Sequence, residues 1–403
     1  MISKEKRGKV GLAILIGAVI FALSFQLGLA AEPIRIGVIT KLSGADANSG
    51  EAQIMGLTIA ADEINAAGGI NGRPIELIMR DDENLPAKSI MLVRELANKQ
   101  NVAALIGGIY SGNAIATNPI ISEIKIPYLI TLPAGKKVID YSNKPNFMFR
   151  VSANDASVAR FFRNFAFNEI KAKNVGFLFE NTGYGQGGLE DFTEALQEQG
   201  KKPAVTERFN WGDIDMTPQL MKAREAKADA LVVYDSTKEA AQILKSMDKL
   251  GWRVPMMCSW GAAQRSMPSI AGPLSDGLMV MQTFSFVENN SPLAKRVAGE
   301  IMKRKPDVKE ASEINAPSFL ANAYDGMKIL ALAIQKAGTD RDKIRDVLES
   351  DLGPYEGLIR NYPKPIFTKE KHDALGPDAY LMTVWYNGKL YPYEYWKKNL
   401  KGK

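Results

Sequence analysis

The feature that most limits the fold of this 403-residue chain is an alternation of strand-like and helix-like segments that runs twice. Apolar, β-branched runs at residues 34–39, 75–79, 102–106 and 127–131 read as strands buried on both faces. A second set follows at 175–179, 203–208, 230–234 and 255–258. Helical stripes fill the gaps. Ile54, Leu57, Ala61 and Ile64 share one face of a helix that Gly68-Gly69 ends, and Ile90, Val93 and Ala97 follow Pro86, a helix-starting residue. In the second set the stripes are Leu189, Phe192 and Leu196, then Ala240, Ile243, Met247 and Leu250, closed by Gly251. Both sets read β-α-β-α-β-α-β, offset by roughly 130 to 140 residues, too long a period for a solenoid. The order predicts an α/β fold of two doubly wound, Rossmann-like lobes, each a largely parallel sheet covered by helices.

The later chain holds more than either lobe needs. Residues 277–286 are strand-like, 318–337 form a long helix, and 380–386 form a strand entering the Asn387-Gly388 turn. The chain is therefore expected to return to each lobe through several interlobe crossings.

The N-terminus carries an address. Lys4, Lys6, Arg7 and Lys9 precede an apolar run from Val10 to Leu29, and Gly28-Leu29-Ala30 supplies small residues for a signal peptidase. Residues 1–31 are read as a cleaved secretory signal; the run is also long enough for an N-terminal membrane anchor. What remains is about 370 residues, a length for two domains. The net charge of +6 falls by three units with the signal, and the remaining Lys and Arg are scattered, so no nucleic-acid partner is expected. Cys258 is the single cysteine, which excludes an intramolecular disulfide and a lipid attached after the signal. An exported, unlipidated, unstapled chain suits a periplasm. Cys258 itself follows Pro255-Met256-Met257 and reads as a small buried hydrophobe.

Catalytic constellations are scarce. His372 is the single histidine, in the charged stretch 367–373, and reads as structural or solvated. Glycine-rich nucleotide loops are missing after the strands. Asp81-Asp82-Glu83 does not match a calcium loop and reads as a solvated strand end or a cap for the helix at Pro86. No metal, cofactor or catalytic residue is expected, and the chain is read as a non-enzyme. Small polar residues cluster instead just after the strands. They are Ser43-Gly44, Tyr110-Ser111-Gly112-Asn113, Pro133-Ala134-Gly135-Lys136, Asn181-Thr182-Gly183-Tyr184-Gly185, Asp235-Ser236-Thr237 and Ser259-Trp260-Gly261. Ligands of open α/β sheets bind outside the carboxyl ends of strands, where backbone N–H groups can hold an anion.

At these residues the chain resembles the type I periplasmic solute-binding proteins of ABC transporters, in the branched-chain amino acid (Leu/Ile/Val) group. The carrying segments are Ile36-Gly37-Val38-Ile39 with Leu42-Ser43-Gly44, the stretch from Ala60 to Gly72, Asp81-Asp82, Ile106-Gly107-Gly108, Tyr184-Gly185-Gln186-Gly187, Tyr324-Asp325 and His372-Asp373. The resemblance implies two lobes joined by three crossings. It assigns residues 32–149 and about 284–352 to lobe 1, and 150–283 and about 353–403 to lobe 2. A small solute would be held in the cleft between the lobes, and the closed monomer would dock on a membrane permease. It further implies ligand contacts from Ser111, Ala134 and Lys136 on lobe 1, and from Tyr184, Ser236 and Trp260 on lobe 2. The residues themselves add the Tyr110 ring, the loop N–H groups at Ala134 and Gly135, and Asp235 as the nearest acid to substitute for the missing carboxylate.

Two departures bear on the ligand. Trp260 stands where the amino-acid binders place a carboxylate for the ligand ammonium, and Lys136 stands where they have a hydroxyl residue. Trp260 has an alternative as second-lobe packing, and Lys136 with Lys137 as a solvated pair. The expected solute is therefore a carboxylate with an apolar or aromatic body rather than a branched-chain amino acid, unless Asp235 reaches the cleft. A ligand-sensing subunit of a membrane receptor is the competing function, and a hydrolase a more distant one. N-terminal sequencing of exported protein is expected to begin at Ala31 or Glu32; an intact Met1 in a membrane pellet would overturn the signal reading.

Overall fold

The structure is a computed structural model that describes residues 31–44, 47–142 and 144–402. Apart from Ala31, the expected signal lies outside the described residues. Among them, no helix is long and apolar enough to cross a membrane.

The first sheet holds β1 (Ile34–Thr40), β2 (Ile75–Asp81), β3 (Ala104–Gly107), β4 (Tyr128–Ile130) and β5 (Met148–Arg150). Its order is β2-β1-β3-β4-β5 and every pairing is parallel. The second sheet begins with β6 (Val175–Glu180), β7 (Thr206–Phe209), β8 (Ala230–Tyr234), β9 (Met256–Cys258) and β10 (Met279–Gln282). Two strands form a short ribbon outside both sheets, β11 (Tyr355–Glu356) and β12 (Asn361–Tyr362). The last two, β13 (Leu381–Tyr386) and β14 (Lys389–Pro392), extend the second sheet to β14-β13-β10-β9-β8-β6-β7. β13 and β14 run antiparallel, joined by the tight turn at Asn387 and Gly388, both at positive φ. β5 has no counterpart in the sequence reading, because its three wholly buried residues show no alternation and end on an arginine.

Three segments cross between lobes. Val151–Asn154 leads from β5 to the helix Asp155–Asn164, whose Val158 and Phe162 pack in the second-lobe core. Thr283 follows β10, and Phe284 and Phe286 are already in the first-lobe core with Ile36 and Val38. The third crossing lies between Leu375, in the first-lobe core, and Tyr380, in the second. That position corrects the boundary expected near residue 353. Residues 353–375 stay with lobe 1 because Asp325, buried in the helix Pro317–Ala337, draws them in. Its carboxylate accepts from Leu358 N at 2.7 Å, Ile359 N at 3.0 Å and the Tyr362 hydroxyl at 2.9 Å.

The helices Ala47–Ala66 and Pro317–Ala337 make the broadest helix contact of the first lobe, and Gly56 permits it. A Cβ at Gly56 would stand 2.2 Å from the Leu320 carbonyl oxygen. Alanine improves helix propensity by about 1 kcal/mol, but backbone on the other side cannot yield as a flexible side chain would. Gly56→Ala is expected to lose about 1–3 kcal/mol, the usual range for overpacking, read as a lower urea midpoint.

Candidate ligand-binding cleft

The lobes are closed on each other. Ala52, Leu132, Ala134 and Phe319 of lobe 1 share one apolar cluster with Tyr184, Tyr234 and Trp260 of lobe 2. Between them lies a cavity. Its first-lobe wall is Ser49, Ile109, Tyr110, Ser111, Leu132, Ala134 and Phe319. Its second-lobe wall is Glu180, Tyr184, Trp211, Asp235, Ser236, Trp260, Gly261 and Gln264.

Each polar group reaches the cavity from a strand end or a helix start. Ser111 opens the helix Ser111–Ile124 and Tyr110 is its N-cap residue, so backbone N–H groups with no intrahelical acceptor face the solute space. The Ser111 hydroxyl accepts from Gly135 N at 3.1 Å. Ser236 precedes the helix Thr237–Lys249, and its hydroxyl donates to the Glu239 carboxylate. Tyr184 stacks obliquely on Tyr234 at 5.2 Å, and Trp260 meets Phe319 edge to face at 5.7 Å across the lobes. Trp260 thus packs in the second-lobe cluster and lines the cavity at once.

Asp235 is the most unusual group. It is 3% exposed, its Oδ2 accepts from the Cys258 thiol at 3.2 Å, and its Oδ1 has no hydrogen-bond partner among the described residues. Burial pushes its carboxyl well above the ordinary carboxylate range. The hydrogen bonds from Cys258 and Ser259 oppose that rise, and the nearby Glu180 and Glu239 charges add to it. Glu180, the last residue of β6, is a second buried carboxylate on the wall; it accepts from the Thr182 hydroxyl at 2.6 Å and from the Trp211 indole at 2.7 Å.

Two expected contacts lie off the cavity. Lys136 turns outward, 54% exposed, to pair with Glu194 at 3.1 Å and Asp191 at 3.9 Å on the second lobe. Its charge therefore bridges the lobes rather than meeting a solute. Gly135 is committed on both sides: its N–H goes to Ser111, and its carbonyl accepts from Arg150 at 2.9 Å. Glu180 and Trp211 are absent from the sequence reading. It ended the strand one residue short, at Phe179, and passed over the Asn210-Trp211-Gly212 loop, where a tryptophan between turn residues at a strand end was the available signal.

The cleft loop is held from behind. Arg150, wholly buried at the end of β5, donates to the carbonyls of Ala134 and Gly135 at 2.9 Å each, and its Nε reaches Asp373 at 2.5 Å. Asp373 also accepts from Asn154 at 3.0 Å. Burial pushes the Asp373 carboxyl up, and the Arg150 charge more than reverses this, leaving it below the ordinary range. His372 stacks on Phe149 at 4.2 Å and bonds Met148 O and Glu349, so it is a buried structural residue. Asp82 accepts from Ser89 at 2.9 Å and Asn113 at 2.7 Å, joining two helices. Asp373→Ala strands a buried guanidinium and is expected to cost about 3–5 kcal/mol in chemical denaturation; adding Arg150→Met should recover most of that loss.

A family model described as periplasmic binding protein matches residues 33–389. The Leu/Ile/Val-binding protein homolog 2 of Brucella abortus is 26% identical over 382 residues, 95% of this chain and 98% of the relative. A branched-chain amino acid transporter substrate binding protein of Streptococcus pneumoniae, solved in complex with isoleucine, superposes with a TM-score of 0.76 at 23% identity, covering 89% of this chain and 97% of that one. A solute binding protein of R. palustris in complex with 4-hydroxybenzoate gives a TM-score of 0.74 at 19% identity, over 89% of this chain and 95% of that one. The family match runs through both lobes and all three crossings, and the chain belongs to the periplasmic binding protein family.

Proposed function

We propose that the protein captures an α-amino acid with an apolar side chain, outside the cytoplasm and as a monomer, and delivers it to an ABC permease without doing chemistry on it. The observation that carries this reading is Asp235, a cavity-lining carboxylate with an unpartnered oxygen. A solute ammonium is the partner that would offset its burial. With Asp235 and Glu180 on the wall and no Lys or Arg among the lining residues, a lone anion meets an unfavourable field. A zwitterion suits it. Its carboxylate goes to Ser111 and the helix start beside it, and its side chain to Leu132, Trp260 and Phe319. Asp235 on the cavity wall meets the condition under which an amino acid takes precedence over an aromatic or apolar carboxylate.

Transport fits better than catalysis or sensing for a chain whose cavity holds a recognition set. Among the described residues, no group of three or more His, Cys, Asp or Glu is placed to hold a metal.

One observation favours a second reading. Burial raises the Asp235 carboxyl and so favours its protonated form, and a protonated carboxyl can donate to a carboxylate ligand such as an aromatic acid. The two readings predict opposite pH dependence. An ammonium needs ionised Asp235, so amino-acid binding releases a proton and tightens as pH rises above the ordinary carboxylate value. An aromatic acid needs protonated Asp235 and binds more weakly as pH rises. Calorimetric titration with L-leucine, L-phenylalanine and 4-hydroxybenzoate at pH 5 and 8 separates them. Amino-acid binding that strengthens with pH is expected, with Asp235→Asn weakening it about 10- to 100-fold and removing the pH dependence. Aromatic-acid binding alone, weaker at pH 8, sinks the amino-acid reading.

A further inference from the structure

The mouth of the cleft holds an aromatic pair contributed by opposite lobes. Tyr110, beside Ser111 on lobe 1, meets Trp211 on lobe 2 with ring centroids 5.6 Å apart and planes inclined at 59°. Both line the cavity, but Trp211 is 40% exposed whereas Trp260 is only 5% exposed. Trp260 is therefore the inner wall and Trp211 the outer one. We infer that Tyr110 and Trp211 form a two-leaved gate that meets only when the lobes close, and that Glu180 is the positioning residue holding the indole across the mouth. The inference rests on the solute-cleft reading and assigns the step that limits release.

Each leaf is set within its own lobe. Tyr110 is fixed as the N-cap residue of the helix Ser111–Ile124, with extended backbone. Among the described residues, the hydrogen bonds of the Trp211 loop lie within the second lobe. Asn181 donates to Asn210 at 3.0 Å, Gly212 N to Glu239 at 3.0 Å, and the Trp211 indole to Glu180 at 2.7 Å. The ring contact between the leaves is thus an interlobe one. It does not exist while the lobes are apart, so it does not obstruct capture. Opening must break it before the solute can leave. Glu180 serves this geometry from the cavity wall, where one oxygen accepts from Thr182 and the other from the Trp211 indole.

The test measures release and capture separately on the full protein, using radiolabelled L-leucine chased by excess unlabelled leucine. Trp211→Ala and Tyr110→Ala are each expected to raise the dissociation rate about five- to tenfold, the scale of one lost aromatic pair, with the association rate within twofold. The double variant should be little worse than either single one, since both remove the same contact. Trp211→Phe, which keeps a ring, should recover most of the slow release. Glu180→Ala should speed release in the wild-type background but not in Trp211→Phe, where there is no indole N–H to hold. Unchanged release in Trp211→Ala and Tyr110→Ala, or fully additive effects, overturns the gate. An equal effect of Glu180→Ala in both backgrounds overturns its positioning role and makes it a direct solute contact. Failure of the wild type to bind either leucine or phenylalanine overturns the amino-acid reading alone; the same chase with 4-hydroxybenzoate then tests the gate.

Discussion

The pairing of Arg150 with Asp373 is the constraint on which the rest depends. The guanidinium ends the last strand of the first sheet, at the start of one crossing, and the carboxylate lies just before another. A charge buried to this depth needs a paired counter-charge, which Asp373 supplies at Nε, while Nη1 donates to the Ala134 and Gly135 carbonyls and Nη2 has no partner among the described residues. One side chain therefore fixes the crossing segments and the loop that carries the first-lobe wall of the cleft. Asn154, bonded to Asp373, extends the clamp onto the second lobe, where it caps the helix Asp155–Asn164.

Electrostatics in the cleft follow from what is kept out of it. Lys136 and Lys137 spend their charges on Glu194 and Glu190 of the opposite lobe, at 3.1 and 3.3 Å. Exposed pairs of this kind are individually weak, and their larger effect here is to leave the cavity acidic. Asp235 and Glu180 then differ by partner: each Glu180 oxygen accepts a bond, from Thr182 or Trp211, while Asp235 Oδ1 has no partner among the described residues. On the proposed amino-acid reading, a carboxylate near residue 260 is not needed for the solute ammonium, because the loop after β8 offers Asp235.

How much of this was legible in the sequence depends on the range of the interaction concerned. Buried strands announce themselves through β-branched runs, and the loops after them through small polar residues, so the two lobes and the general position of the cleft could be read. The direction of Lys136 could not, since it is decided by Glu194 nearly sixty residues away on the other lobe. The same holds for residues 353–375. They have little regular structure and are recruited by the Asp325 carboxylate through backbone N–H groups, which leave no trace in side-chain patterning. Glu180 was passed over for a smaller reason, a strand end set one residue short at Phe179, and Trp211 because its turn-rich loop after β7 was not read as a wall of the cleft.

The interleaving of the lobes has a consequence for how the chain reaches this state. The first-lobe core combines residues 34–151 with 284–375, and the second sheet is complete only when β13 and β14, residues 381–392, are added beside β10. Neither core is a continuous stretch of chain. Long loops must close before these contacts stabilise anything, which makes assembly slow and late. The first half of the molecule can collapse early, but it cannot hide its unfinished sheet faces until nearly the last tenth of the sequence is present. Such a protein stays unfinished, and open to any machinery that handles extended chains, for most of its synthesis.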